Sequence, residues 1–96
     1  MLQFLSVPLL GSRVNPVPTV LRSGPYRLFF YSNEGREPAH IHAQRERKLA
    51  KFWLKPVSLA SSSGFAAHEL RRLKAIVQER QSVLLEAWNE HSGSAN

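Results

Sequence analysis

The sequence contains no cysteine. That absence excludes a disulfide framework and any zinc site built on thiolates, so a bound metal would have to be held by histidine and carboxylate. Nor does any apolar stretch approach the roughly 20 residues a helix needs to cross a bilayer. Acidic residues are few, seven against 13 Lys and Arg, giving a net charge of +6. They are also single and scattered, so no paired-carboxylate, Ser-His-Asp or Cys-His arrangement can be assembled from them. The ribonucleoprotein aromatic signature, the zinc-finger pattern and the Gly-rich phosphate loop are all missing. With 96 residues there is room for one domain.

What remains is a globular composition, 43% hydrophobic and 21% charged. The basic excess is uneven: residues 1–65 hold nine Lys and Arg against three acids, whereas residues 66–96 hold four of each. A field of that sign favours phosphates or an acidic protein partner and says nothing about fold.

Residues 1–17 mix apolar side chains with Pro8, Gly11, Asn15 and Pro16 and keep no period, which predicts a poorly ordered extension. Arg13 follows the short apolar run rather than preceding it, which argues against a secretory signal. From Pro18 the texture changes. Thr19 to Arg22 is β-prone, Ser23-Gly24-Pro25 signals a turn, and Tyr26 to Tyr31 is bulky enough for a buried strand. Both faces of that strand are aromatic, so alternation alone does not choose between them. After a polar loop, Pro38 biases Glu37 towards extended backbone and a third strand begins near His40. A charged turn, Gln44 to Arg47, leads into a fourth strand in which Ala50, Phe52 and Leu54 alternate with Lys51, Trp53 and Lys55. Pro56 is expected to end it. Val57 to Ala60 suits either a turn of helix or a strand continuation, and Ser61 to Gly64 a loop and helix entry.

Beyond that point Ala66, Leu70, Leu73, Val77, Leu84 and Trp88 recur at spacings of three, four or seven, with Ile76 and Leu85 widening the stripe. The all-polar Glu79 to Ser82 leaves open one long helix or two. Gly93 stops it, and residues 93–96 form a frayed tail. The predicted fold is two-layer α+β. A four-stranded antiparallel meander (about 18–23, 26–32, 39–44 and 48–55) is covered on one face by a C-terminal helix or helix pair (about 65–91).

His40 and His42 are the sharpest chemical feature. In a strand, side chains two apart share a face, so the two imidazoles are expected together with Lys51, Trp53 and Lys55 on the uncovered side, opposite Ile41 and Ala43. Three uses compete. The pair can hydrogen-bond to Glu37 and the neighbouring backbone, holding the loop to the sheet. It can ligate a divalent metal with Glu37 and a distant His68 or His91, although two ligands alone make a weak site. Or it can perform acid–base or phosphate-contact chemistry on RNA, with Glu37 nearby and Lys51 or Arg27 stabilising phosphate charge. Arg27, Arg45, Arg47, Lys48, Lys51, Trp53 and Lys55 form the candidate nucleic-acid surface, since open sheets with stacking aromatics and cations bind single strands. The plainer explanation is a lysine-studded strand that resists edge pairing. Trp88 is read as core, or as a partner anchor if exposed. No cofactor is required by any of these residues.

Five blocks, Pro18-Thr19-Val20-Leu21, Tyr26 to Glu34, Glu37 to His42, Ala50 to Leu54 and Leu84 to Trp88, resemble a small bacterial family, the domain of unknown function 4160. The resemblance spans about residues 18–92. It implies a single-domain cytoplasmic protein, paired by gene order with a small antitoxin-like neighbour, as in toxin–antitoxin modules. On that basis the chain is expected to be a toxin-like component acting on RNA or translation. The alternatives are a non-enzymatic binding or regulatory module complexed with the neighbour, and a histidine-based metal-binding protein. Family members begin with methionine directly before the Pro-Thr-Val block, where this chain has Val17. A GTG codon encodes methionine at initiation and valine internally, so residues 1–16 are expected to lie upstream of the true start. Intact mass of protein made from the native gene tests this; a species retaining Gln3 and Phe4 rules it out.

Overall fold

A computed structural model describes residues 19–31 and 36–91. The N-terminal extension, the centre of the 32–35 loop and the C-terminal tail lie outside the described residues.

Among the described residues, five strands form one antiparallel sheet in chain order: β1 (Thr19–Ser23), β2 (Tyr26–Phe29), β3 (His40–Arg45), β4 (Lys48–Leu54) and β5 (Val57–Ser63). Two helices follow, α1 (Ala67–Glu79) and α2 (Gln81–His91). The chain is therefore α+β with helices packed on a meander, as its alternation predicts, but with a fifth strand. Val57 to Ala60 continues the sheet, and Ser61 to Ser63, expected as loop, pair with Lys51, Ala50 and Leu49. Four serines in seven residues give β5 little intrinsic strand preference. The turn at residues 55–56 and the ladder offered by β4 decide its conformation instead.

Register fixes the two faces. Ile41 lies across from Phe52 and Ala43 from Ala50, while Leu28 pairs with Ala43. These residues, with Tyr26, Phe30 and Leu54, meet Leu73, Val77, Leu84 and Trp88 in one hydrophobic core. Leu28, Ile41, Phe52, Leu54, Leu73, Val77 and Leu84 are completely excluded from solvent. Burying side chains of this size stabilises by roughly 1.5–3 kcal/mol each, which explains why the stripe at helical spacing overrides local propensity.

The all-polar stretch marks a real break. α1 ends at Glu79 and is capped by Arg80, whose backbone leaves helical geometry at φ −103° and ψ 16°. The next residue, Gln81, donates from Nε2 to the Leu54 carbonyl at 2.6 Å, tying the start of α2 to the end of β4.

Glu69, in the first turn of α1, is buried. Its carboxylate accepts from Tyr26 Oη at 3.0 Å, Arg45 at 2.7 Å and Lys48 Nζ at 3.3 Å. Burial by itself pushes the carboxyl up. The hydrogen bonds from Tyr26, Arg45 and Lys48 outweigh it and hold the group below its ordinary 4.5. Because the folded value lies below the unfolded one, the stabilisation is complete above about pH 4.5 and is lost as pH falls through the folded value. Glu69→Gln is thus expected to lower the thermal midpoint at pH 7, with the gap from the parent chain closing in acid. Melting curves at pH 7 and in acid that stay equally far apart would contradict this.

Candidate functional site

The uncovered face of the sheet is built by alternation. His40 lies across from Trp53 and His42 from Lys51 on β4, and Phe29 of β2 lies across from His42 on the other side. The two imidazoles are neighbours, with ring centroids 5.2 Å apart and nearly perpendicular planes. They share a face but not an environment.

His40 is fully buried, against the expectation that it stands open. Trp88, from the last turns of α2, lies 4.7 Å from it by ring centroids and also meets Phe30 edge-on at 5.4 Å. The His40 Nδ1 is 2.9 Å from the Pro38 carbonyl, and a carbonyl only accepts, so Nδ1 carries a proton and donates it there. Glu37 Oε1 lies 3.7 Å from the same nitrogen and takes a 2.5 Å bond from Lys51 Nζ. His40 is thus the buttress of the loop that carries Glu37 and Pro38. Strand periodicity places a residue on a face; it does not reveal that a side chain 48 positions later folds over that face's rim.

His42 is half-buried and reachable. Its ring stacks on Phe29 at 5.5 Å and stands edge-on to Tyr31 at 4.5 Å, and Tyr31 is 39% exposed. Beside it a groove of about 280 Å³ runs between Tyr31, His42 and Lys51 and the serines of β5. A second groove, about 420 Å³, is lined by Pro38, Ala39, Trp53, Lys55, Pro56 and Ser58. The strand left undecided by its sequence, Tyr26 to Tyr31, sends Leu28 and Phe30 into the core and Phe29 and Tyr31 to the uncovered side.

The cations proposed for nucleic acid divide into three groups. Arg45 and Lys48 belong to the helix-covered parity and are ion-paired with Glu69, which raises the Arg45 guanidinium above its ordinary value. Arg27 and Lys51 are on the uncovered face but engaged. Arg27 donates to Thr19 Oγ1 and Gln44 Oε1, both at 2.8 Å, and sits 4.4 Å over the Phe29 ring. Lys51 binds Glu37 and lies 4.6 Å over the half-buried Trp53 ring. Arg47 and Lys55 are exposed in the turns at opposite ends of β4. Glu37 is 48% exposed, so its pair with Lys51 is worth no more than about 1 kcal/mol. Glu37→Gln should therefore barely move the melting temperature, and a loss of many degrees in a thermal scan would refute that assignment.

Among the described residues, no group of three or more His, Cys, Asp or Glu is placed to hold a metal ion. His68 is exposed on α1, and His91 stacks on Phe30 at 5.0 Å with Nε2 3.2 Å from the Tyr31 carbonyl. Neither approaches His40 and His42 as a ligand set. Among the described residues, no helix is long and apolar enough to cross a membrane.

A family model, described as a domain of unknown function (DUF4160), matches residues 26–89, from the first residue of β2 to the last turn of α2. The chain belongs to the DUF4160 family. Comparison with curated proteins and with solved structures gave no match. In this DUF4160 chain the matched segment contains the histidine pair, the Glu37 loop, both grooves and the Trp88 cover.

Glu69 belongs to the scattered acids of the sequence, yet it is the one buried carboxylate among the described residues. The signal was present: Glu69, Leu73 and Val77 recur at steps of four, which puts the carboxylate on the buried stripe.

Proposed function

We propose that this DUF4160 chain works by binding rather than by catalysis, as the partner-binding member of a two-gene module, with the uncovered sheet face and its grooves as the working surface. The observation that carries this reading is the complete burial of His40. Acid–base cleavage of RNA by a histidine pair needs both rings within reach of the substrate, and only His42 meets that condition. The surface left over, Tyr31, His42, Trp53 and Lys51 around two shallow grooves, has the aromatic and cationic make-up of an interaction site rather than a reaction centre.

The test is expression alone and together with the neighbouring gene product. Harmless expression of the isolated chain and co-purification of the two are expected, with Trp53→Ala weakening the complex. Growth arrest by the isolated chain, relieved by the neighbour and abolished by His42→Ala, would establish the toxin-like reading instead.

A second reading, single-stranded RNA on the same face, draws on the exposed Tyr31 and the cation-capped rings. It requires binding that weakens steeply with salt, measurable by fluorescence anisotropy with an oligonucleotide.

A further inference from the structure

Among the described residues the sheet ends in two edges of different character. β1 is five residues long, carries the exposed Arg22 and has a register irregularity between Thr19 and Leu21. β5 runs seven residues, Val57-Ser58-Leu59-Ala60-Ser61-Ser62-Ser63, without a charge or a proline. Leu59 is 43% exposed and all three terminal serines are exposed. Edge strands are normally protected by charges, proline or brevity, because unpaired N–H and C=O groups template another strand. β5 has only a bulge at Ala60, the residue skipped between the Lys51–Ser61 and Phe52–Leu59 pairs.

The ends of β5 are cationic. Lys55 is exposed in the turn before it. At its far end, where Ser63 pairs with Leu49, the turn between β3 and β4 presents the exposed Arg47 beside Glu46, while Arg45 and Lys48 are ion-paired with the single carboxylate of Glu69, so three cations meet two carboxylates. A second copy of the chain would carry the same overall +6 and bring its own Lys55 and Arg47 to the ends of the paired strands. Like charge disfavours that pairing, and opposite charge favours a different occupant.

We infer that β5 accepts an extended segment of an acidic partner polypeptide as a sixth strand, neutral at its centre and carrying carboxylates towards both ends. Main-chain hydrogen bonds supply affinity and the flanking cations set its register. Small serine side chains allow close approach and offer hydroxyls for cross-strand bonds. This rests on the proposed binding function and specifies how the partner is held.

The probe is a synthetic eight-residue peptide with Thr and Val at its centre and Glu at both ends, added at about 1 mM to the full chain, a concentration that detects weak specific binding. Amide hydrogen exchange reads the position. Slowed exchange in residues 57–63 but not in 19–23 is expected. A control peptide of equal charge with a central proline should give at least tenfold less protection, since it cannot form the ladder, and Leu59→Glu should weaken binding of the acidic peptide.

Equal effects of both peptides, or none from either, would overturn the inference by showing only diffuse charge attraction or no site. Protection of 57–63 by dimerisation without peptide would assign the edge to a second copy and likewise overturn it. If the co-expressed neighbour binds while residues 57–63 exchange freely, this inference fails and the binding function stands. If no neighbour complex forms yet the peptide still protects β5, the reverse holds.

Discussion

Replacing Trp88 with alanine is expected to destabilise the domain by about 3–5 kcal/mol, the range for removing a large buried aromatic. The ring is 7% exposed and touches three others: Phe30 at 5.4 Å, His40 at 4.7 Å and His91 at 6.5 Å. Its loss opens a cavity where the helical layer meets the histidine strand. Domains of this size have of order 5–15 kcal/mol in total, so most of the reserve would go. Chemical denaturation should show the midpoint falling with little change in slope. A shift below about 1 kcal/mol, the level of an ordinary surface change, would mean that Trp88 does not close the core.

The two histidines should then separate by stability. His40→Ala removes a completely buried ring and its bond to the Pro38 carbonyl, and is expected to cost about 2–3 kcal/mol from cavity and lost hydrogen bond together. His42→Ala, at a half-buried position on the groove, should cost about 1 kcal/mol or less. In a domain of this size each kcal/mol moves the melting temperature by roughly 4–8 °C, so a thermal scan resolves the difference. Partner binding should respond in the opposite order, with His42→Ala the more damaging at a temperature where both variants are folded. A His40→Ala chain that melts like its parent but has lost its biological effect would restore His40 as a functional group and remove the main support for a binding role.

Much of this was legible beforehand. Alternation along Ala39 to Ala43 and Lys48 to Leu54 correctly put the imidazoles, Lys51 and Trp53 on one face, because strand parity is set by backbone geometry and needs no tertiary information. The same parity, carried two residues further, places Arg45 with Ile41 and Ala43, and Lys48 with Ala50, on the helix side, although nearness in sequence sets them beside Lys51 and Lys55. The burial of His40 was not legible, since it depends on where α2 lays Trp88, and no local pattern encodes the angle between helix and sheet. β5 escaped for a related reason. Its serines fit a loop as well as a strand, and only pairing with β4 chooses between them.

The bond from His91 to the Tyr31 carbonyl joins residues 60 positions apart, and Trp88 closes over His40 from the same helix. On a ribosome, the meander would therefore emerge with Phe30 and His40 still wet, ahead of the helix that covers them. During that interval the nascent sheet exposes an aromatic patch that the finished domain covers, the kind of surface that chaperones hold until folding is complete.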